Sequence, residues 1–195
     1  MAKCIVVFLS NLRDESSNHS NSPLARNVAT HEQVALKLEH KSIEPSILED
    51  EAERYKILKG LAGFPEVYWY GWHDDYKVMA FELLGPSLED LFVYCDRNFS
   101  LKTTLSIANQ LLLRLRALHE NGILHRDIKP QNCLLGCAET GNVVYITDFG
   151  LADEQTMVHE STGYTTARDL RLVGTARYAS IRGHESQGVY TYLSI

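Results

Sequence analysis

The chain contains His125-Arg126-Asp127-Ile128-Lys129-Pro130-Gln131-Asn132 and, sixteen residues after Asn132, Asp148-Phe149-Gly150. Asp127 supplies a carboxylate that can accept a hydroxyl proton, and Lys129 supplies a cation two residues later. The amide of Asn132 and the carboxylate of Asp148 are oxygen ligands of the kind that Mg²⁺ takes beside nucleotide phosphates. Either stretch alone would say little. Together, in this order and spacing, they predict a site for phosphoryl transfer.

An earlier lysine and glutamate complete the set of charged residues. Lys37 lies in the strand-like stretch Val34-Ala35-Leu36-Lys37-Leu38, and a lone lysine on a strand is ordinarily a solvated one. Glu51 follows fourteen residues later, on the apolar side of a predicted helix that begins at Ser46. A glutamate on an apolar face is hard to explain without a cation beside it. We therefore expect Glu51 to pair with Lys37 near the phosphates.

Length and composition fit an ordinary globular protein of one domain. The chain has 195 residues, of which 45% are hydrophobic and 23% are charged, and its net charge is −6. That charge argues against non-specific binding of nucleic acid. The apolar run Cys4–Leu9 is too short for a signal sequence or a membrane span, and the cysteines form no C-x-x-C pair. We expect a monomer in the cytoplasm, the nucleus or both, bound to neither nucleic acid nor membrane.

Hydrophobic periodicity and turn residues divide the chain into small strands first and helices later. This order indicates an α+β protein of two lobes with its site in the cleft between them. The longest predicted helix carries one apolar stripe of Leu101, Leu105, Ala108, Leu112, Leu115 and Leu118. The predicted elements are strands at Val34–Leu38, Val67–Tyr70, Lys77–Leu83, Cys133–Leu135 and Val143–Thr147, helices from Ser46 to a Gly60 C-cap, after Ser87 and at Leu101–Glu120, and a turn at Gly71–Asp75.

Four longer stretches are more specific: Leu36–Glu39, Val67–Gly71, Leu83–Phe92 and Gly174–Ile181, the last reading Gly-Thr-Ala-Arg-Tyr-Ala-Ser-Ile. They resemble the casein kinase I family of serine/threonine protein kinases, and the resemblance covers roughly Leu24 to Gly183. It implies a two-lobed protein-kinase-like fold with a small β-rich N-lobe and an incomplete helical C-lobe. The implied divisions are a flexible non-family segment 1–23, an N-lobe 24–84, a partial C-lobe 85–183 and a non-family tail 184–195.

The resemblance also implies a role for each candidate site residue. The implied cofactors are ATP and Mg²⁺, and the implied partners are protein substrates with an acidic or pre-phosphorylated serine or threonine context. The guanidinium of an arginine suits such an anion. The implied roles are Lys37 and Glu51 as the activating ion pair, Phe81 as gatekeeper, the Glu82 and Leu84 backbones and Leu134 as adenine contacts, Asp127 as base, Lys129 as a γ-phosphate contact, Asn132 and Asp148 as metal ligands, and Arg177 as the substrate-anion site.

Two departures from the family pattern bear on activity. No glycine precedes Gly60, although the family's glycine-rich loop should lie before Val34 and bring backbone amides against the phosphates. After Gly183 the sequence leaves the family pattern. We therefore expect a chain truncated at both ends, as from a mis-spliced coding sequence, with an apolar patch exposed on the helix Leu101–Glu120.

Two other functions stay open. The first is a catalytically impaired, kinase-like module for interaction or nucleotide binding. The missing glycines favour it, and the intact Lys37, Asp127 and Asp148 oppose it. The second is a small-molecule phosphotransferase. The stretch Gly174–Ile181 argues against that function, because this segment belongs to peptide-substrate recognition in the family that the chain resembles.

Overall fold

The computed structural model describes residues 24–27, 30–154 and 173–184. Its first part is a four-stranded antiparallel sheet. The strands are β1 (Leu24–Arg26), β2 (Gln33–His40), β3 (Val67–His73) and β4 (Tyr76–Glu82). Their order across the sheet is β1-β2-β4-β3. The strand predicted at Val34–Leu38 is confirmed, because it lies wholly within β2.

The two faces of β2 differ in chemistry, as the alternation of side chains along a strand requires. On one face, Val34 and Leu36 are buried with residues of β4. On the other face lie Lys37 and, two residues later, the buried carboxylate of Glu39. Charged side chains that are buried need polar partners, and the next helix supplies them.

Helix α1 (Ile47–Ile57) packs against the charged face of β2. Its N-cap is Ser46, as predicted, because the Ser46 hydroxyl accepts the backbone N–H of Glu49 at 3.2 Å. The predicted C-cap at Gly60 is wrong. The helix ends at Ile57, and the backbone N–H of Leu58 already bonds back into the last turn. Gly60, with φ of +80°, lies in the turn that follows.

The hairpin of β3 and β4 is tighter than the sequence predicts. The turn expected at Gly71–Asp75 contains only Asp74 and Asp75, because β3 runs to His73 and β4 starts at Tyr76. Aromatic side chains favour strands, which extends both of them toward the turn. Asp74 has φ of +50°, a conformation that aspartate tolerates better than most residues.

The chain after β4 is mostly helical. Helix α2 (Leu88–Tyr94) begins with a capping box between Ser87 and Asp90, and α3 (Leu101–Glu120) has the bounds that the sequence predicts. The remaining elements are β5 (Ile123–Leu124), β6 (Cys133–Leu135), β7 (Val144–Ile146), β8 (Asp153–Glu154) and α4 (Ile181–His184). Strand β5 pairs with β8, and β6 pairs with β7, both antiparallel.

The apolar stripe of α3 is not one buried face. Leu118 is fully buried and Leu115 packs beside it, but the earlier part of the stripe points to solvent. In this part of the helix, Ile107 and Leu111 pack against the hydrophobic core instead. An exposed apolar patch on this helix is thus present, as expected, at Leu101, Leu105, Leu112 and Leu113. None of the described helices is long and apolar enough to span a bilayer.

One hydrophobic cluster joins the sheet to the helical part. It contains residues of α1, β4, α3, β5 and β7 together with Phe149, which is fully buried. The cluster holds the Asp148-Phe149-Gly150 stretch between α1 and the rest of the core. The architecture is therefore the predicted α+β one, with a β-rich N-lobe followed by a mostly helical C-lobe. The buried members of this hydrophobic cluster are Leu48, Ala52, Tyr55, Leu58, Phe64, Met79, Leu118, Ile123, Ile146, Phe149 and Ala152.

Candidate active site

Lys37 lies at the centre of a three-residue charge cluster. Its Nζ is 2.7 Å from Glu51 Oε2 and 2.8 Å from Asp148 Oδ1. Burial alone would lower the pKa of Lys37, but the two carboxylates outweigh burial and raise that pKa. Lys37 is therefore positively charged, and the two carboxylates hold its ammonium group in place. It joins the strand, helix α1 and the Asp148 stretch, which are far apart in the sequence.

Helix α1 also holds the backbone of Asp148 and Phe149. Glu51, only 1% exposed, accepts the Phe149 N–H with Oε1 at 3.3 Å. One turn later, the Tyr55 hydroxyl oxygen accepts the Asp148 N–H at 3.2 Å, and the Tyr55 ring packs edge-on to Phe149 at 4.9 Å. Burial raises the pKa of Glu51 despite the nearby lysine, and it raises that of Tyr55 well above its ordinary value. The position of Asp148 thus depends on the position of α1.

Asp127 is a buried carboxylate held by three donors. Lys129 Nζ lies 2.7 Å from Oδ2, the amide Nδ2 of Asn132 lies 3.2 Å from the same oxygen, and the Thr175 N–H donates to Oδ1 at 2.8 Å. Burial alone would raise the pKa of Asp127. The bonds from Lys129 and Thr175 outweigh burial and lower it, so the group is ionised at neutral pH. An ionised carboxylate in this position can accept a hydroxyl proton.

Asn132 links Asp127 to Asp148. Its Nδ2 donates to the Asp127 carbonyl at 3.0 Å, and its own carbonyl accepts the N–H of Thr147, the neighbour of Asp148, at 2.9 Å. Within the described residues the amide oxygen Oδ1 has no hydrogen-bond partner, although Asn132 is buried. A buried oxygen without a partner beside a carboxylate fits the oxygen-ligand preference of Mg²⁺. Asn132 and Asp148 therefore suit the metal site that the sequence predicts.

His125 has a structural role in this arrangement. Its Nε2–H donates to the Thr147 carbonyl at 3.0 Å, its Nδ1 accepts the Asp127 N–H at 3.3 Å, and its ring lies 5.0 Å from that of Phe149. This pattern requires the neutral imidazole, because Nδ1 acts as an acceptor. Burial lowers the pKa of His125 and so favours the same form.

The backbone of the site adopts conformations that are uncommon for residues with a Cβ. Arg126 has φ of +64° and Asp148 has φ of +67°. Gly174 has φ of +89°, and a Cβ at this position would lie 2.3 Å from the Arg126 carbonyl oxygen. Only glycine fits here, and its fit lets Thr175 reach Asp127. Such backbone strain concentrates at functional sites.

The predicted adenine contacts lie where β4 ends. The Glu82 N–H is already bonded to the Glu66 carbonyl at 2.8 Å. Neither backbone polar group of Leu84 has a partner in the part of the chain that the structure describes. Leu134, on β6, pairs with Tyr145 and bridges to Ser87. Leu84 thus offers a donor and an acceptor to a ligand, and the side chain of Leu134 is half-buried.

Arg177 and Thr175 lie on the segment 173–184. Arg177 is exposed, in a 3₁₀ turn, with its guanidinium 5.7 Å from the ring of Tyr178. Among the residues that the structure describes, no contact joins Arg177 to Lys37, Glu51 or Asp148. Thr175 instead contacts the proposed base and its neighbour: its N–H donates to Asp127, and its hydroxyl accepts from Lys129 at 3.0 Å. Sequence reasoning missed Thr175, although it lies within the quoted stretch Gly174–Ile181.

The site therefore combines a fixed ammonium, two oxygen ligands suited to a metal and an ionised buried carboxylate, which is what phosphoryl transfer to a hydroxyl requires. A comparison with family models matches the description "Protein kinase domain" over residues 18–181. That range is most of the chain and contains every element of the site. Protein kinases in general use ATP and Mg²⁺. The chain belongs to the protein kinase family.

Proposed function

We propose that this protein kinase is a serine/threonine kinase of casein kinase I type, which transfers the γ-phosphoryl group of ATP to a serine or threonine hydroxyl. The observation that carries the proposal is the state of Asp127. Its carboxylate is kept ionised by Lys129 and Thr175, and Asn132 ties it to the backbone beside Asp148. A base of this kind, next to a phosphate site, can accept the proton of a substrate hydroxyl.

Each charged residue has one task in the proposed reaction. Lys37 binds phosphate oxygens, and Glu51 keeps it directed toward Asp148. Asn132 and Asp148 would hold Mg²⁺, which would neutralise charge on the phosphates. Asp127 orients the acceptor hydroxyl and takes its proton, while Lys129 steadies the γ-phosphate. The backbone of Leu84 and the carbonyl of Glu82 would bind adenine, with Leu134 against the ring.

Arg177 supports a proposal for the substrate class. An exposed guanidinium on the segment that also carries Thr175 can pair with a carboxylate or phosphate of a bound peptide. We therefore propose protein substrates with an acidic or pre-phosphorylated context. The longer stretches that resemble casein kinase I, above all Gly174–Ile181, support this type. We also propose a monomer of the cytoplasm or nucleus that binds neither nucleic acid nor membrane.

One sequence observation favours a second function. No glycine precedes Gly60, so the amides that a glycine-rich loop would bring to the phosphates are not supplied by glycines there. The alternative is a kinase-like module that binds nucleotide or partners without turnover.

Peptide phosphorylation separates these possibilities. The chain is supplied with Mg²⁺ and labelled ATP, and with peptides that differ only in the acceptor (serine, threonine or tyrosine) or in whether the flanking residues are acidic or neutral. We expect label on serine and threonine only, and a KM about tenfold higher for the acidic peptide in Arg177→Gln, as for loss of a charged hydrogen bond. Arg97→Gln, an exposed arginine of a surface pair, is the matched control.

Three outcomes would count against the proposal. Label on tyrosine would overturn the serine/threonine assignment. Equal KM values for the acidic and neutral peptides would overturn the substrate class. Saturable binding of ATP with no labelled peptide would favour the module without turnover.

A further inference from the structure

Glu39 is a buried charge that the proposed reaction does not use. Its side chain lies on β2, and the residue is 7% exposed. Oε1 accepts the backbone N–H groups of Ile47 at 2.9 Å and Leu48 at 3.0 Å, and Oε2 accepts the Ser46 hydroxyl. A carboxylate is costly to bury, so three donors directed at one carboxylate indicate a defined task.

The first turn of α1 depends on this carboxylate. The opening N–H groups of a helix have no partner within the helix and must be satisfied from outside. Here Glu39 takes those of Ile47 and Leu48, and the Ser46 hydroxyl takes that of Glu49. Burial alone would raise the pKa of Glu39, but the bonds from Ser46, Leu48 and Ile47 lower it. An anion at this end of a helix is also favoured by the helix dipole.

The same strand holds α1 at a second point. Lys37, two residues before Glu39 on the same face of β2, binds Glu51. Two strand residues span about 6.6 Å, and the four residues from Ile47 to Glu51 rise about 6 Å along the helix. The spacing of the two attachments therefore matches on both elements. One attachment places an anion against the helix N-terminus, and the other places a cation against a helix carboxylate.

We propose that Glu39 is a positioning residue for phosphoryl transfer: it fixes the first turn of α1 on β2, so that Glu51 meets Lys37. Without it, the ion pair of Lys37 is the remaining polar contact between α1 and β2 among the described residues, and the bonds from α1 to Asp148 and Phe149 are loosened. The kinetic consequence rests on the proposed function. The geometric consequence, a change at Lys37, does not.

The kinetic test is a double-mutant cycle on the full chain. Glu39→Ala is expected to lower kcat about tenfold when Glu51 is present, as for lost hydrogen bonds to a charged group, and less than about twofold in a Glu51→Gln background. Glu39→Gln keeps an oxygen for the two N–H groups and should lose less than Glu39→Ala. Glu53→Gln, an exposed residue of α1 paired with Lys56, is the matched control. Equal losses in both backgrounds would overturn the proposal, as would a lower thermal midpoint with unchanged kcat per folded molecule.

A labelling test needs no catalysis. Limiting acetic anhydride acylates lysines, and mass spectrometry follows Lys37 against Lys102, an exposed lysine of α3. Glu39→Ala is expected to raise the Lys37:Lys102 ratio by about threefold or more, because the ion pair with Glu51 opens. Glu53→Gln should leave it unchanged. An unchanged ratio in Glu39→Ala overturns the inference. A wild-type chain without transfer activity would overturn only the proposed function, and the ratio would then decide the role of Glu39.

Discussion

Replacing Glu51 by glutamine should damage the site far more than it damages the fold. The variant keeps an oxygen that can accept the Phe149 N–H, but it presents an amide to Lys37, donor against donor. Among the described residues, Asp148 is then the remaining carboxylate that pairs with Lys37. Because the ammonium and the proposed metal would share that carboxylate, both nucleotide binding and transfer should suffer.

The magnitude follows from the exposure of the two partners. A hydrogen bond to a charged group contributes about 1.5–3 kcal/mol. The Lys37 side chain is 38% exposed, so solvent screens the pair and the lower end of that range applies. This corresponds to a loss of about tenfold in kcat/KM for ATP. The free energy of unfolding should fall by only about 1 kcal/mol, because the change also removes a buried charge that is costly to desolvate.

The assay compares transfer rates and urea unfolding for wild type, Glu51→Gln and Glu53→Gln. Glu53 lies on the same helix, but its side chain is 61% exposed in a surface pair. Its replacement should change stability by less than about 0.5 kcal/mol and leave transfer unchanged. If the two variants lost activity equally, or if Glu51→Gln lost activity only in proportion to the unfolded fraction, the reasoning would be refuted.

Three further predictions follow from the same contacts. Tyr55→Phe removes the acceptor of the Asp148 N–H. The free energy of unfolding should fall by about 0.5–1.5 kcal/mol, and the KM for ATP should rise. Unchanged values would show that this hydrogen bond does not hold Asp148. The fold lowers the pKa of His125, so the unfolded chain binds the proton first as pH falls. The free energy of unfolding should therefore decrease below about pH 6.5, by up to 1.4 kcal/mol per pH unit. Urea unfolding from about pH 7 to 5 should show a smaller slope for His125→Phe than for wild type. Gly174→Ala should lose more stability and activity than Gly60→Ala. Both glycines have positive φ, but of the two only Gly174 would place a Cβ against a carbonyl oxygen. Equal losses would show that the protein relieves this clash.

Local signals predicted much of the fold. The bounds of α3, the caps Ser46 and Ser87 and the strand around Lys37 follow from periodicity and capping chemistry. The β3–β4 turn was predicted too long, because the aromatic residues Trp72 and Tyr76 extend the two strands into it. The exposed half of the α3 stripe shows that periodicity identifies an apolar side without saying which part of it finds a partner.

The site was predictable only where its residues form motifs. Lys37, Glu51, Asp127, Asn132 and Asp148 were all named from short patterns, and the structure brings them into one network. The contact of Thr175 with Asp127 spans 48 residues, and that of Tyr55 with Asp148 spans 93. No local pattern specifies such pairs, because they depend on how the core packs around Phe149.

The caps of α1 illustrate the same limit. Ser46 was recognisable as an N-cap from its place before a helical pattern. Glu39, which satisfies two more N–H groups of the same turn, was not, since it lies on a preceding strand. Its role appears only when strand and helix are packed together.

The most direct test of the central claim is the initial rate of γ-phosphoryl transfer from labelled ATP to a serine peptide for wild type and Asp127→Asn. Asp75→Asn, an exposed carboxylate paired with Lys41, serves as the control. Loss of the base should reduce the rate per folded molecule by about a hundredfold or more, while the control retains it. Transfer by Asp127→Asn at the wild-type rate would show that this carboxylate is not the base and would contradict the account.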